Sequence, residues 1–161
     1  MEIYDSRIDT LKHTSRVANL LGAFSGSLVE RAIVHDESKL ESPEKEIFDV
    51  YTPKLRDSTY GSDEYKETLQ KMGKGLKHHY KNNSHHPEFY DEGIDGMTLV
   101  DVVEMFMDWV AACERHNTGN IYESIEINVV RFGLSDQLKS ILINTAKFFE
   151  NAGIIKVNQT K

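Results

Sequence analysis

The chain has 161 residues, 28% charged and 39% hydrophobic, which suits one globular domain with a core and is too short to expect two. Its net charge of -7 excludes a surface that grips duplex nucleic acid through phosphates, whereas a small anionic substrate needs only a local positive site. A single cysteine, Cys113, excludes an intramolecular disulfide and suits a buried thiol in a reducing cytoplasm; neither a signal peptide nor an apolar stretch approaching the ~20 residues of a bilayer span is expected.

Over residues 5–24, Ile8, Leu11, Val17, Leu20, Leu21 and Phe24 recur at the spacing of an amphipathic helix. His13 shares a stripe with Val17, Leu20 and Phe24, so it is expected to face inward, where a histidine needs a partner. Gly22, Ser25, Gly26 and Ser27 predict a turn, after which Leu28, Val29, Ala32 and Ile33 begin a second helix leading into His35-Asp36. Ser42 reads as the N-cap of a third helix with Pro43 in its first position and Glu44 in its first turn, expected to stop near Thr52 before Pro53. After a loop through Tyr60 and Gly61, Ser62-Asp63-Glu64 opens a helix to about Lys81, weakened by Gly73 and Gly75 and carrying His78-His79 at its end.

Turn formers dominate residues 82–97, with Pro87, Gly93 and Gly96 among them, so His85 and His86 are expected in a loop and not on a packing face. Thr98 to Asp101 has the capping-box pattern for a long helix to about Arg115. Residues 121–132 predict another helix. Residues 135–152 predict the last, with Leu138, Ile141, Leu142, Thr145, Phe148, Phe149 and Ala152 on one face and Gly153 as its stop. No strand pattern competes, and the expectation is a single all-α domain over 1–161, a bundle of about six to seven helices.

In the long helix, Asp101, Glu104 and Asp108 form one stripe opposite Leu99, Val103, Phe106, Val110 and Cys113. Met105, Trp109, Ala111 and Ala112 flank that stripe, so its carboxylates are expected to be enclosed and to need cations or donors. The capping box accounts for Asp101, which leaves Asp108 as the candidate ligand. With His13, His35, Asp36 and one or more of His78, His79, His85 and His86, it offers mixed nitrogen and oxygen donors to a divalent ion: Mn, Fe, Co, Ni, Zn or Mg. A structural zinc site would use cysteines instead. Ligands from separate helices leave a coordination position for water, whose pKa such an ion lowers towards neutrality.

In the order of these motifs the sequence resembles the HD-domain metal-dependent phosphohydrolases: an early helical histidine (His13), the pair His35-Asp36 and a late helical aspartate (Asp108), over roughly residues 10–115. His35-Asp36-Glu37-Ser38-Lys39 is similar to the His-Asp-x-Gly-Lys of the cyclic-dinucleotide phosphodiesterase subgroup, and His85-His86-Pro87-Glu88, followed by Gly93 and Gly96, to its His-His-Glu loop. The sequence departs from that subgroup at Ser38, at Pro87 and in lacking its Gly-Tyr-Pro, and from the 5'-deoxynucleotidase branch at Lys39, where that branch has a glutamate. Neither substrate carries over. Small phage and bacterial proteins with His-Asp-x-Ser-Lys and His-His-Pro-Glu motifs are also similar, and that likeness brings no activity with it.

The resemblance implies an HD-type helical fold in which His13, His35, Asp36 and Asp108 bind a principal metal. His79, with His85 or His86, would extend the site to a second ion sharing Asp36, so that one or two divalent ions are expected. Lys39 would balance phosphate charge, with His86 beside it on the substrate, and Glu88 or Glu104 would accept a proton or hold a ligand's second ring nitrogen. His78 and His116 are left as surface or packing residues. The implied activity is metal-dependent hydrolysis of a phosphoester in a nucleoside phosphate or cyclic nucleotide, with Asp36, Lys39, Glu88 and Glu104 as the catalytic set. The alternative is a non-catalytic HD-like protein that sequesters a nucleotide, metal or partner. A small phosphorylated substrate is expected, without duplex nucleic acid or membrane, and a homodimer is left open.

Overall fold

The computed structural model describes residues 4–59, 62–115 and 119–157. The loop predicted through Tyr60 and Gly61, and His116, lie outside the described residues. Among the described residues there are seven α-helices and no strand, as the helical periodicities predict. Internal contacts separate two units, one ending at His35 and the other beginning at Asp36.

The first unit is a single helix, α1 (Arg7–Val34), 28 residues without a break where the sequence predicts two helices and a turn. Glycine and serine are weak helix formers, costing at most about 1 kcal/mol each, and no proline enforces a stop. Ser27 Oγ instead bonds back to the Ala23 carbonyl at 3.4 Å, as a helical serine can. No residue of α1 is buried, and Ile8, Leu11, Leu20 and Leu21 are each more than half exposed. Because the helix runs through the expected turn, it is long and apolar enough to cross a membrane by length and composition, a property also met by core helices and signal sequences. The expectation that no stretch approaches that length is corrected accordingly.

The second unit starts with a 3-10 turn (Glu37–Leu40), followed by α2 (Glu44–Asp57), α3 (Asp63–Lys71) and α4 (Gly73–Asn82). Ser42 does not cap α2: Pro43 occupies the cap position without a side-chain bond, and Glu44, the first helical residue, is completely buried. Pro53 lies inside α2, which continues to Asp57 despite the lost backbone donor. Ser58 then closes the helix, donating its N–H and its hydroxyl to the Leu55 carbonyl at 3.3 and 2.9 Å. Ser62 caps α3 as predicted, accepting from the Tyr65 N–H at 3.2 Å. The helix expected to run on to Lys81 breaks at Met72, a fully buried side chain. Gly75 lets α4 approach α2, since a Cβ there would meet Ile47 Cγ2 at 2.9 Å.

Two 3-10 turns (Pro87–Phe89 and Gly93–Gly96) carry the chain to α5 (Leu99–Arg115), α6 (Ile121–Phe132) and α7 (Asp136–Asn151). The core lies among these last three helices, built on Met105, Phe106, Trp109 and Val110 of α5, Ile125 of α6 and Leu142 and Ala146 of α7. Cys113 is buried there as predicted, and burial pushes its thiol pKa up, which disfavours the reactive thiolate. Along α7 the contact face is turned from the predicted one: Leu142 and Ala146 are buried, while Ile141 and Phe148 are 59% and 65% exposed. The apolar stripe of α7 is wider than the strip that α6 covers, so periodicity alone does not choose its centre.

Candidate metal centre

The turn after α1 is set by Asp36, whose φ of 59° places a non-glycine residue in the left-handed region, a strained conformation that clusters at functional sites. Asp36 Oδ1 faces His79 Nε2 of α4 at 3.2 Å and His85 Nε2 at 3.6 Å. His86 Nε2 lies 2.9 Å from His79 Nε2, and Lys39 Nζ donates to Asp36 Oδ2 at 2.5 Å. Asp36, His79, His85 and His86 each bring a ligand atom within 4.8 Å of the other three.

The backs of two rings are held by carboxylates. His79 Nδ1 lies 2.9 Å from Glu44 Oε2, and His85 Nδ1 lies 3.1 Å from Glu104 Oε1. An ionised carboxylate only accepts, so a proton on Nδ1, facing the carboxylate, would leave Nε2 free to offer a lone pair to a cation beside Asp36. Burial, then the neighbouring His85 and His79, pushes the His86 pKa down to about 2, so its ring is neutral. Neutral imidazoles and a carboxylate are the donor chemistry of a first-row divalent ion. Ligands ~2.1 Å from such an ion and at right to tetrahedral angles are about 3.0–3.4 Å apart. The observed 2.9, 3.2 and 3.6 Å bracket that range, so these three separations fit a divalent metal, and all four donors lie within 4.8 Å of one another. A carboxylate behind a ligand imidazole is the usual support of a metal-bound histidine.

The loop bearing His85 and His86 is fixed from below by Asp101, which is 4% exposed. Its carboxylate accepts from Ser84 Oγ and Tyr90 OH, both at 2.8 Å, and from the Thr98 N–H at 2.9 Å and hydroxyl at 2.5 Å. Ser84 and Tyr90 flank the histidine pair, so the residue that caps α5 also closes the loop. Burial raises the Asp101 pKa, but the bonds from Thr98, Ser84 and Tyr90 outweigh it and hold the group below its usual value. Gly96 belongs to the same arrangement, because a Cβ there would meet Tyr90 Cβ at 2.9 Å.

Of the residues singled out in the sequence, Asp36, His79, His85 and His86 come together, with Lys39 and Glu104 in contact with them. Asp108 is half-buried on α5, brings a carboxylate oxygen within 4.8 Å of one of Asp36, and lines a cleft of about 160 Å³ with His79 and His86. His35 ends the first unit as the C-cap of α1. His13 is exposed on α1, 22 residues before that cap, about 33 Å along an unbroken helix at ~1.5 Å per residue. Glu88 Oε1 is bound by Arg131 Nη2 at 2.6 Å.

Two participants were not legible in the sequence. Glu44, read there only as an acid in a first helical turn, bonds Nδ1 of His78 at 2.7 Å and of His79 at 2.9 Å, and accepts from Ser38 Oγ at 2.9 Å. His78, left as surface or packing, is therefore tied to the same carboxylate. The available signal was two adjacent histidines closing a helix, which between them need more than one acceptor.

The profile of DUF5662, a family of unknown function, matches residues 2–148. The chain belongs to DUF5662. The matched region contains all four converging donors and the carboxylates behind them. No curated protein and no solved structure matches the chain.

Beside the donors the surface opens into a second cleft of about 430 Å³, lined by Asp36, Lys39, Phe48, Arg56, Tyr65 and Arg115 among others. It shares Lys39, Phe48, Tyr65 and Arg115 with the smaller cleft at His79 and His86.

Proposed function

We propose that this DUF5662 protein is a metal-dependent phosphohydrolase that cleaves a phosphoester of a small nucleotide with metal-activated water. The observation that carries the reading is the pair of carboxylate-backed rings, Glu44 behind His79 and Glu104 behind His85, which turn both Nε2 atoms towards Asp36 Oδ1. The motif order shared with the HD-domain phosphohydrolases supports it.

Asp36, His79, His85 and His86 would hold the ion, with Asp108 as a further carboxylate beside Asp36. When bound, a divalent ion supplies acidified water and a Lewis acid for a phosphoryl oxygen. Glu44 and Glu104 would hold the tautomer that binding requires. Lys39, against Asp36 and 5.1 Å from the centre of the Phe48 ring, stands where both clefts meet and offers a point charge to a phosphate. The acidic surface fits a small substrate better than duplex nucleic acid, and the lone buried Cys113 fits a reducing cytoplasm.

Elemental analysis of the purified protein, followed by phosphate release from nucleoside mono- and triphosphates and cyclic dinucleotides with added Mn, tests this. One or two ions per chain, lost in His79→Ala and His85→Ala together with turnover, is the expected result. Equal metal content in wild type and both variants removes the site. Tight nucleotide binding without product under any metal replaces hydrolysis by sequestration.

A further inference from the structure

We propose that Arg56 and Arg115 form a second anion subsite beside the donors, so that the ligand is a small organic phosphate carrying a second acidic group. This rests on the reading above that the imidazoles and Asp36 mark the place of the reacting phosphoryl group.

The chain is acidic overall, yet the lining of the larger cleft is cationic: Lys39, Arg56 and Arg115 against one acid, Asp36. Lys39 already meets Asp36 at 2.5 Å, which leaves the two arginines as the net charge of the wall. Arg56 is two-thirds exposed, and its contact with Asp57 is a 3.3 Å surface pair of the kind that contributes little. Arg56 comes from α2 and Arg115 from the last turn of α5, so two separate helices bring arginines to one opening. Guanidinium groups match carboxylate and phosphate oxygens in a fork, and a cation needed only to steer one phosphoryl group is already present in Lys39.

Phe48 and Tyr65 complete the wall between the two ends. About 430 Å³ is near the lower end of pockets that hold one small molecule, which suits one ring system and not an oligomer. The chemistry recognised is therefore a phosphoester at the donors and a second phosphate or carboxylate at the arginines, as in a nucleoside di- or triphosphate.

The test uses the full chain with Mn and compares a nucleoside triphosphate with phenyl phosphate, which has one anionic group. Wild type is expected to favour the triphosphate, and Arg56→Met and Arg115→Met to raise its KM about tenfold each and collapse the preference, with partial rescue by Arg115→Lys. Metal content stays at the wild-type value, which separates the arginines from the metal centre. A preference that persists in both variants overturns the subsite. Should no substrate turn over in wild type, the hydrolase reading fails by itself, and inorganic pyrophosphate titrated calorimetrically into the EDTA-treated protein decides the subsite. Binding that weakens about tenfold in each arginine variant sustains it; equal or absent binding overturns it.

Discussion

Glu44 Oε2 lies 2.9 Å from His79 Nδ1, joining residues 35 positions apart with both side chains closed to solvent. The same carboxylate takes the Ser38 hydroxyl and the His78 ring, so the start of α2 is anchored to the turn before it and to the end of α4. A buried carboxylate with these partners fixes the position of the His79 ring.

Glu44→Gln, which keeps shape and removes charge, is expected to weaken divalent-ion affinity by about 10- to 100-fold while leaving the helical circular dichroism intact. Competition with a chromophoric chelator reads the affinity directly. Unchanged affinity would show that Glu44 serves packing alone.

Glu88→Gln provides the contrast. Its carboxylate belongs to Arg131, 2.6 Å away, with 32% side-chain exposure, so metal affinity should stay within about twofold of wild type and stability should change by no more than about 1 kcal/mol. A loss comparable to that of Glu44→Gln would place Glu88 at the metal after all.

Asp101→Asn leaves Ser84, Tyr90 and Thr98 donors poorly matched and is expected to cost about 1–3 kcal/mol in urea unfolding. The folded pKa of Asp101 lies below the ordinary 3.8, so its stabilisation is fully present above that value and is lost as pH falls through the folded pKa. Wild-type stability should therefore drop more steeply than that of the asparagine variant as pH falls below about 4. Parallel curves in acid would contradict the assignment.

Gly75→Ala forces Ile47 to move, since the new Cβ would meet it at 2.9 Å. A cost of about 1–3 kcal/mol is expected. Because His79 is one turn along α4, metal affinity should fall as well, and a second substitution, Ile47→Val, should recover part of both.

Chelation by EDTA should lower the melting temperature of a metal-loaded sample, because an ion bound only by the folded state stabilises it by about 2.7 kcal/mol at a free concentration 100 times Kd. The difference should grow from pH 5 to pH 8, since ligand imidazoles must be deprotonated. Identical melting curves with and without EDTA at pH 8 would count against a metal centre.

The sequence by itself determined the helical class, the helix starts at Ser62 and Thr98, the loop under His85 and His86, and the donor chemistry of Asp36 with its histidines. Each is local: a cap is settled within about four residues, and periodicity within about two turns. Only the tertiary structure decided that Glu44 backs His79, that Glu88 pairs with Arg131, that α7 turns Leu142 and Ala146 inward, and that α1 runs unbroken and carries His13 away from its C-terminal end. Partners more than 30 residues apart leave no mark in a local window. The glycines and serines at 22–27 shift the helix by only about 1 kcal/mol each, too little for composition to choose between a turn and a continuous helix.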